Sequence, residues 1–299
     1  MSFLKFTFPV SKVTTWLWLP LGVAFLLAFF GATAGVTGAF LLLPFQMSVL
    51  GYTAAGVSAT NFVYNVFAIP GTVVSYSRQG RLNWPLALTI TSGSLPGIAI
   101  GYRLRITYLT DPRYFKPFVG LVLLYLAYLV GRGIFRGRSA GESIPPPALA
   151  RISEMRFGLR KMSFSFNGEN YFFDPRLLFL LALLVGVAGG AYGIGGGAIL
   201  APFCLSVLRL PVHTIAGASL FGTLVSSLAG VLVYTFGGLG GVESHPDFLL
   251  GGLFGVGGMV GGYLGAMWQK KVAQRPIKLG LLLVLLLVAW RYLAAFVSS

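Results

Sequence analysis

A glycine-rich run inside a long apolar segment constrains this chain more than any other feature. Six glycines lie between Gly189 and Pro202, and they interrupt aliphatic residues that extend from Leu177 to Leu208. A phosphate-binding loop would need a preceding strand and a surrounding βαβ unit. Aliphatic flanks of this length predict instead a membrane segment that unwinds at the glycines, where protein or a water-filled cavity must satisfy its backbone.

Two functions fit such an unwound segment. Broken helices bind anions in transporters, because the half-helix N-termini present free N–H groups and a partial positive charge. The alternative is that the glycines only allow two helices to pack closely. The run by itself leaves both interpretations open.

The composition assigns the chain to the membrane. Charged residues make up 10% of the 299 residues, far below the ~25% of soluble domains, and eight apolar runs approach the ~20 residues that span a bilayer. The net charge of +15 resides in the connections between these runs, which fits membrane-flanking positions and not nucleic-acid binding. The single cysteine, Cys204, excludes an internal disulfide and a cysteine-clustered metal site.

The chain contains an internal duplication. A shift of 158 positions (189 minus 31) lays Gly31 on Gly189 and Pro44 on Pro202, without a gap as far as Val73 on Val231. A shift of 164 then lays Gly97 and Gly101 on Gly261 and Gly265. Because the N-terminal apolar run is half of this repeat, we expect it to be retained and not cleaved as a signal peptide. Repeats of this kind place the binding site of secondary transporters at the repeat interface.

These observations predict an all-α polytopic membrane protein with two homologous repeats, residues 1–135 and 175–299, and an extramembrane insertion, residues 136–174. Each repeat begins with a glycine-broken segment, 15–50 or 175–208. The first has 36 residues, roughly 54 Å as one helix, which is too long for a core of ~30 Å, so we predict re-entrant hairpins. Three spans follow in each repeat: Ala54–Tyr76, Trp84–Tyr102 and Tyr114–Phe135, then Val212–Phe236, Phe248–Gln269 and Pro276–Val297.

The insertion has a strand-like pattern. The segment Lys161–Phe173 alternates polar and apolar residues around Asn167-Gly168, the strongest short signal for a hairpin. We predict a small β-hairpin, and a lid, a partner contact and a plain linker remain open as its role.

The number of crossings and the loop charges predict the topology. A hairpin plus three spans gives each repeat an odd number of crossings, so the repeats should be inverted. The loop Gly237–Asp247 carries acids but no Lys or Arg and is placed outside, whereas Lys270, Lys271 and Arg275 then lie inside. Parallel repeats remain the alternative, and both arrangements place the C-terminus outside.

The second span of each repeat carries a polar face. The shift of 158 superposes Asn61 on Ser219 and Asn65 on Thr223. We expect these side chains to face each other and to donate hydrogen bonds to an oxyanion beside the glycine breaks. The alternative is hydrogen bonding between helices, worth ~0.6 kcal/mol each. The predicted substrate-binding set is Gly35, Thr37, Gly38, Asn61, Asn65, Gly193, Gly195, Gly196, Gly197, Ser219 and Thr223.

The placement of titratable residues bears on the remaining functions. All seven acids lie in or beside loops, so a buried carboxylate relay for cations is not indicated, and an anionic or neutral solute is favoured. Ser219 with His213 does not form a plausible nucleophile and base on a helix, and two separate histidines do not suggest a metal site. We therefore predict no catalytic residues, metal or cofactor, and an enzyme is the least favoured class.

At these residues the chain resembles the TauE/SafE family of sulfite and organosulfonate exporters. The resemblance rests on Gly193-x-Gly195-Gly196-Gly197 with Pro202, on Ala216-Gly217-Ala218-Ser219-Leu220, and on Gly262-Tyr263-Leu264-Gly265. It covers nearly all of both repeats but not the insertion, and the first repeat departs from it, with Thr37 at the Gly195 position and Asn61 at the Ser219 position.

The resemblance implies a permease for small anions, sulfite or organosulfonates first, in the cell (inner) membrane of a bacterium or archaeon, with alternating access at a midplane site. An anion channel and a non-transporting scaffold are the alternatives. The implied partners are an anionic solute and the lipid bilayer, and a homodimer is left open.

Overall fold

A computed structural model describes residues 5–34, 37–135, 152–158, 160–166, 168–197, 200, 204, 208, 210, 212–239, 244–268 and 274–297. Ten helices are resolved in this part of the chain: α1 Trp18–Ala34, α2 Ala39–Ser48, α3 Gly56–Ala68, α4 Pro70–Arg78, α5 Trp84–Thr107, α6 Pro112–Phe135, α7 Pro175–Tyr192, α8 Val212–Phe236, α9 Phe248–Trp268 and α10 Gln274–Val297. The strands are β1 Lys5–Thr7, β2 Thr14–Trp16, β3 Ile152–Arg156, β4 Met162–Phe166 and β5 Glu169–Phe173.

Within the described ranges, six helical segments are long and apolar enough to cross a membrane: α3 together with α4, α6, α7, α8, α9 and α10. The first of these divides at Ile69, before Pro70, which has no N–H to donate. The helix α5 has sufficient length, but its serines, threonines, glycines and arginines make it less apolar. The helices α1 and α2 are apolar and shorter.

The first broken segment folds back on itself. The chain leaves α1 at Ala34 and returns at Gly38, where an added Cβ would lie 2.9 Å from the backbone N of Ala28. The ring of Phe45 in α2 then contacts that of Phe254 at 6.3 Å between centroids. Phe254 precedes Gly257, the residue of α9 that packs on the start of α1, so α2 runs back towards the beginning of α1.

The second broken segment unwinds where the first does. Helix α7 ends at Tyr192, and Gly193 takes a left-handed conformation with φ 91°, which glycine adopts without strain. Gly193 then lies against Ser58 of α3, and Gly195 and Gly197 lie against α8. Leu200 and Cys204 are helical and buried, and most of the return to residue 211 lies outside the described residues.

The two repeats interlock through equivalent contacts. Glycines of α5 meet carbonyls of α7, and glycines of α9 meet carbonyls of α1, so the third long helix of each repeat packs on the first helix of the other. An added Cβ would lie 2.1 to 2.5 Å from the carbonyl oxygen in every pair: Gly93 with Phe179, Gly97 with Leu183, Gly101 with Val187, Gly257 with Leu21, Gly261 with Phe25 and Gly265 with Phe29. These pairs correspond under the shifts of 158 and 164. The duplication in the sequence therefore appears in the structure as pseudo-two-fold symmetry.

The central helices show that the repeats are inverted. Phe62 of α3 packs on Gly230 of α8, and Asn65 bonds Ser227. Residue numbers therefore rise along α3 as they fall along α8, and the helices are antiparallel. Because α3 and α8 are equivalent in the duplication, the two repeats run in opposite directions, as the odd number of crossings predicts.

The insertion forms a three-stranded antiparallel sheet in the order β3-β4-β5. The predicted hairpin is confirmed as β4 and β5, which pair Phe166 with Glu169 across the turn at Gly168. Strand β3 and an N-terminal hairpin of β1 and β2 were not expected from the sequence. The sheet docks on the helices, because Phe164, Phe166 and Phe173 share one apolar core with residues of α5, α7 and α8 and with Leu200 and Cys204.

Candidate functional site

The end of α7 is satisfied by side chains from the other helices. A helix leaves its last four carbonyls without partners. Gly189 O accepts from the N–H groups of Gly193 and Ile194, a Schellman-type ending. The next two carbonyls accept hydrogen bonds from side-chain hydroxyls. Tyr234 donates to Gly190 O at 2.9 Å, and Ser58 donates to Ala191 O at 2.7 Å. The break in the second repeat is therefore held in place by α3 and α8.

Tyr192, the last residue of α7, links the two broken segments. Its hydroxyl donates to Phe40 O in α2 at 2.6 Å. That carbonyl would bond the N–H of residue 44 in a regular helix, but Pro44 has none. The proline thus frees an acceptor in one broken segment for a donor from the other.

Asn61 also bridges the two broken segments. Its amide nitrogen donates to Ala39 O at 3.2 Å and to Gly193 O at 3.1 Å, and these residues belong to opposite repeats. Its carbonyl oxygen is buried without a hydrogen-bond partner. The donors predicted for an oxyanion are therefore used by the protein in this state, and the side chain presents an acceptor.

Asn65 makes a second bridge at the crossing of α3 and α8, where its amide nitrogen donates to Ser227 Oγ at 3.2 Å. Ser219 lies eight residues before Ser227, roughly 12 Å along the helix. Asn65 is thus opposite Ser227, and no described hydrogen bond joins either asparagine to Ser219 or Thr223. The predicted residues fall into two groups, one in each repeat, which we call half-sites, and the asparagine bridges join the two repeats.

The half-site of the second repeat consists of the glycine run and the facing side of α8. A Cβ added to Gly197 would lie 2.0 Å from Ser219 O, and one added to Gly195, which has φ 78°, would lie 2.9 Å from Thr223 Cγ2. The Gly196 N–H donates to Ser226 Oγ at 3.0 Å. The backbone can approach α8 this closely only because these residues lack side chains.

The hydroxyls of this half-site differ in their bonding. Thr223 donates to Ser219 O at 2.9 Å within α8. The hydroxyl of Ser219 itself is buried and has no hydrogen-bond partner. Ser219 is therefore a free donor beside the point where the chain resumes a helix.

The half-site of the first repeat contains Thr37 and Gly38, and Gly35 lies outside the described residues. The Thr37 hydroxyl is buried without a hydrogen-bond partner. It lines a cleft of about 40 Å³ with room for a few water molecules. The other walls are apolar side chains of α1, α2, α6 and α10, so Thr37 is the polar side chain in an apolar cleft.

Two buried polar side chains near the breaks were not predicted. Gln46 in α2 is fully buried, and both atoms of its amide lack hydrogen-bond partners. The shift of 158 lays Gln46 on Cys204. The signal in the sequence was a polar residue between Phe45 and Met47, inside an apolar run. Arg105 in α5 is also fully buried, although its sequence position suggested a flanking residue. Among the described residues, no group of three or more His, Cys, Asp or Glu side chains could hold a metal ion.

Comparisons with known proteins identify the family of the chain. Residues 20–292 match the model of the family "Sulfite exporter TauE/SafE". A "Probable membrane transporter protein" of Xylella fastidiosa (strain 9a5c) is 26% identical over 88% of this chain and 91% of its own length. The "Probable membrane transporter protein YunE" of Bacillus subtilis (strain 168) is 23% identical over 77% of each chain. No solved structure matches significantly. With the family match covering both repeats and both glycine breaks, the chain belongs to the TauE/SafE sulfite exporter family of membrane transporters.

Proposed function

We propose that this protein is a permease for small sulfur-containing oxyanions, with sulfite and organosulfonates as the first candidates. Transport would proceed by alternating access to a site between the two inverted repeats. The family match supports a transported solute of this class. The interlocked inverted repeats support alternating access, because many secondary transporters rock one repeat against the other around a site at the repeat interface.

The observation that carries the proposal is the pair of free hydroxyls at equivalent breaks. Thr37 and Ser219 both have a buried oxygen without a hydrogen-bond partner. Thr37 lies where the first broken segment returns, and Ser219 lies on α8 opposite Gly197 of the second broken segment. A buried polar group that stays unpaired costs about 1–3 kcal/mol. An oxyanion accepts hydrogen bonds from such hydroxyls, and binding would recover that cost.

Asn61 and Asn65 take a different role in this mechanism. Because both amides bond the opposite repeat, they hold the repeats in one relative position. Movement between inward-facing and outward-facing states would break or exchange these bonds. The asparagines would then set the balance between the states, while Thr37 and Ser219 contact the solute.

Flux through proteoliposomes tests the proposal. Vesicles containing the purified chain are loaded with sulfite, thiosulfate or a taurine-like sulfonate, and release is compared with empty liposomes. Flux of one of these that saturates with concentration is the expected result. Flux that rises linearly without saturation would favour an anion channel, and no flux for any small anion would leave the scaffold alternative and remove the proposal.

Variants at the free hydroxyls test the site. Ser219→Ala and Thr37→Ala should raise the half-saturating concentration of the anion several-fold, because each removes one donor. Thr235→Ala is a matched control, since Thr235 lies on the same helix as Ser219 and its hydroxyl donates to Val231 O of its own helix. Unchanged saturation in both hydroxyl variants, with folded protein, would show that the site lies elsewhere.

A further inference from the structure

Arg105 is a buried cation that the proposed transport site does not use. It lies in the last turn of α5 and is 0% exposed. Its guanidinium donates to Leu109 O and, at 3.3 Å, to Thr53 O, and it covers the ring of Phe115 at 3.7 Å from the centroid. Carbonyls and an aromatic face solvate the charge, but neither carries a full negative charge to neutralise it.

A counter-charge for Arg105 is missing from the described part of the chain. Asp247 and Asp111, the acids of the neighbouring connections, accept hydrogen bonds from Ser11 and from the Arg113 backbone respectively. The Nε–H of Arg105 is buried without a partner. Burying a charge without a counter-ion is costly, and a donor with no acceptor adds to that cost.

Tyr102 provides a second unused donor on the same face of α5. It precedes Arg105 by three residues, a spacing that places two side chains on one side of a helix. Its hydroxyl is buried without a partner. Its ring packs on that of Tyr234 at 4.8 Å between centroids, and Tyr234 donates to Gly190 O at the end of α7. The two unused donors therefore lie close to the glycine break of the second repeat.

We infer that Arg105 and Tyr102 bind a small anion. The anion accepts hydrogen bonds from the Arg105 Nε–H and the Tyr102 hydroxyl, and it supplies the missing negative charge. Chloride and the transported oxyanion share the chemistry that this site would recognise. The inference rests on the proposed function in one respect: the site adjoins the break that the solute would pass. The position equivalent to Arg105 in the other repeat is Gln269, so the duplication does not repeat this charge.

Thermal unfolding of the purified full-length chain in detergent tests the inference. The midpoint is measured at constant ionic strength while sodium gluconate is replaced by sodium chloride or by sodium sulfite. A bound anion stabilises the folded state, so the midpoint should rise and saturate, by about 5 °C at a hundredfold excess over the dissociation constant. A rise with chloride and sulfite indicates a general anion site, and a rise with sulfite alone indicates a subsite for the solute.

Variants assign the effect to the site. Arg105→Gln should abolish the rise and Tyr102→Phe should weaken it at least several-fold in apparent affinity, with the midpoint in gluconate reporting that each variant is folded. Arg103→Gln is the matched control, because Arg103 is exposed two residues away and its loss should leave the rise intact. A rise that persists in Arg105→Gln would overturn the assignment.

A second variant examines whether the chain supplies the counter-ion itself. Glu243 lies outside the described residues, in the connection before α9. If the wild type shows no anion-dependent rise and Glu243→Gln gains one, the carboxylate occupies the site and the inference fails. Binding is measured without transport, so the two proposals can fail separately: a midpoint rise without flux removes only the permease, and flux without a rise removes only this site.

Discussion

Gly261 and Gly262 give a prediction in which adjacent substitutions have opposite signs. A Cβ on Gly261 would lie 2.1 Å from Phe25 O, with Phe25 C and Cα at 2.8 Å. Reaching even a tight contact of 3.4 Å requires a displacement of 1.3 Å (3.4 minus 2.1). These three nearest atoms are all backbone, so α1 and α9 must separate, and overpacking of this kind costs about 1–3 kcal/mol. Gly261→Ala should therefore destabilise the fold.

Alanine at Gly262, one residue later, would cause no steric clash. A Cβ on Gly262 has no atom within 4 Å, and alanine is favoured over glycine in a helix by about 1 kcal/mol. Gly262→Ala should raise the midpoint of thermal unfolding in detergent while Gly261→Ala lowers it, both followed by circular dichroism. Two variants of equal stability, or Gly261→Ala as the more stable, would refute the close approach of these helices.

Three further predictions follow from the buried side chains. Phe164→Ala should lower the free energy of unfolding by about 3–5 kcal/mol, since Phe164 is 1% exposed. Phe172→Ala, on the exposed side of the same sheet, should cost less than about 1 kcal/mol. Comparable losses in the two variants would show that the sheet is not docked. Ser219→Ala should not lower the free energy of unfolding, because it breaks no hydrogen bond and removes a buried hydroxyl that has no partner, and a loss of stability would reveal a structural partner. Asn61→Ala should destabilise by about 1–3 kcal/mol, because it removes the buried amide that donates to the Ala39 and Gly193 carbonyls, and an unchanged midpoint would contradict the bridge.

The duplication made much of the architecture predictable. The shift between the repeats relates Gly97 to Gly261, and the structure uses both glycines for equivalent close contacts. The partner of each glycine could not be read from the sequence, because a small-residue spacing indicates that a helix packs closely but does not indicate on which helix. Strand β3 was missed because Glu154 has a positive φ of 48° and the pairing with β4 shifts register there, so the alternation that indicates a strand is lost.

The polar residues near the breaks could be selected from the sequence, but their hydrogen bonding could not. The polar faces of the second spans led to Asn61 and Ser219, but the sequence could not show that the amide of Asn61 is used by two carbonyls while the hydroxyl of Ser219 is free. Arg103 and Arg105 looked alike as flanking charges. The helical period turns Arg103 outward and Arg105 inward, and only a helix that continues past Tyr102 to Thr107 brings Arg105 into the core.

The docked sheet has a consequence for any movement of the second broken segment. Phe164 and Phe166 share their core with Leu200 and Cys204, and the Ile152 N–H is anchored to Gly80 O at 2.9 Å. Separating the sheet from that segment would expose their common apolar surface to water, at a free-energy cost of roughly 25 cal/mol for each Å² exposed. The insertion is thus packed on helices of both repeats, and a loop that looks dispensable in the sequence contributes to the hydrophobic core that the two repeats share.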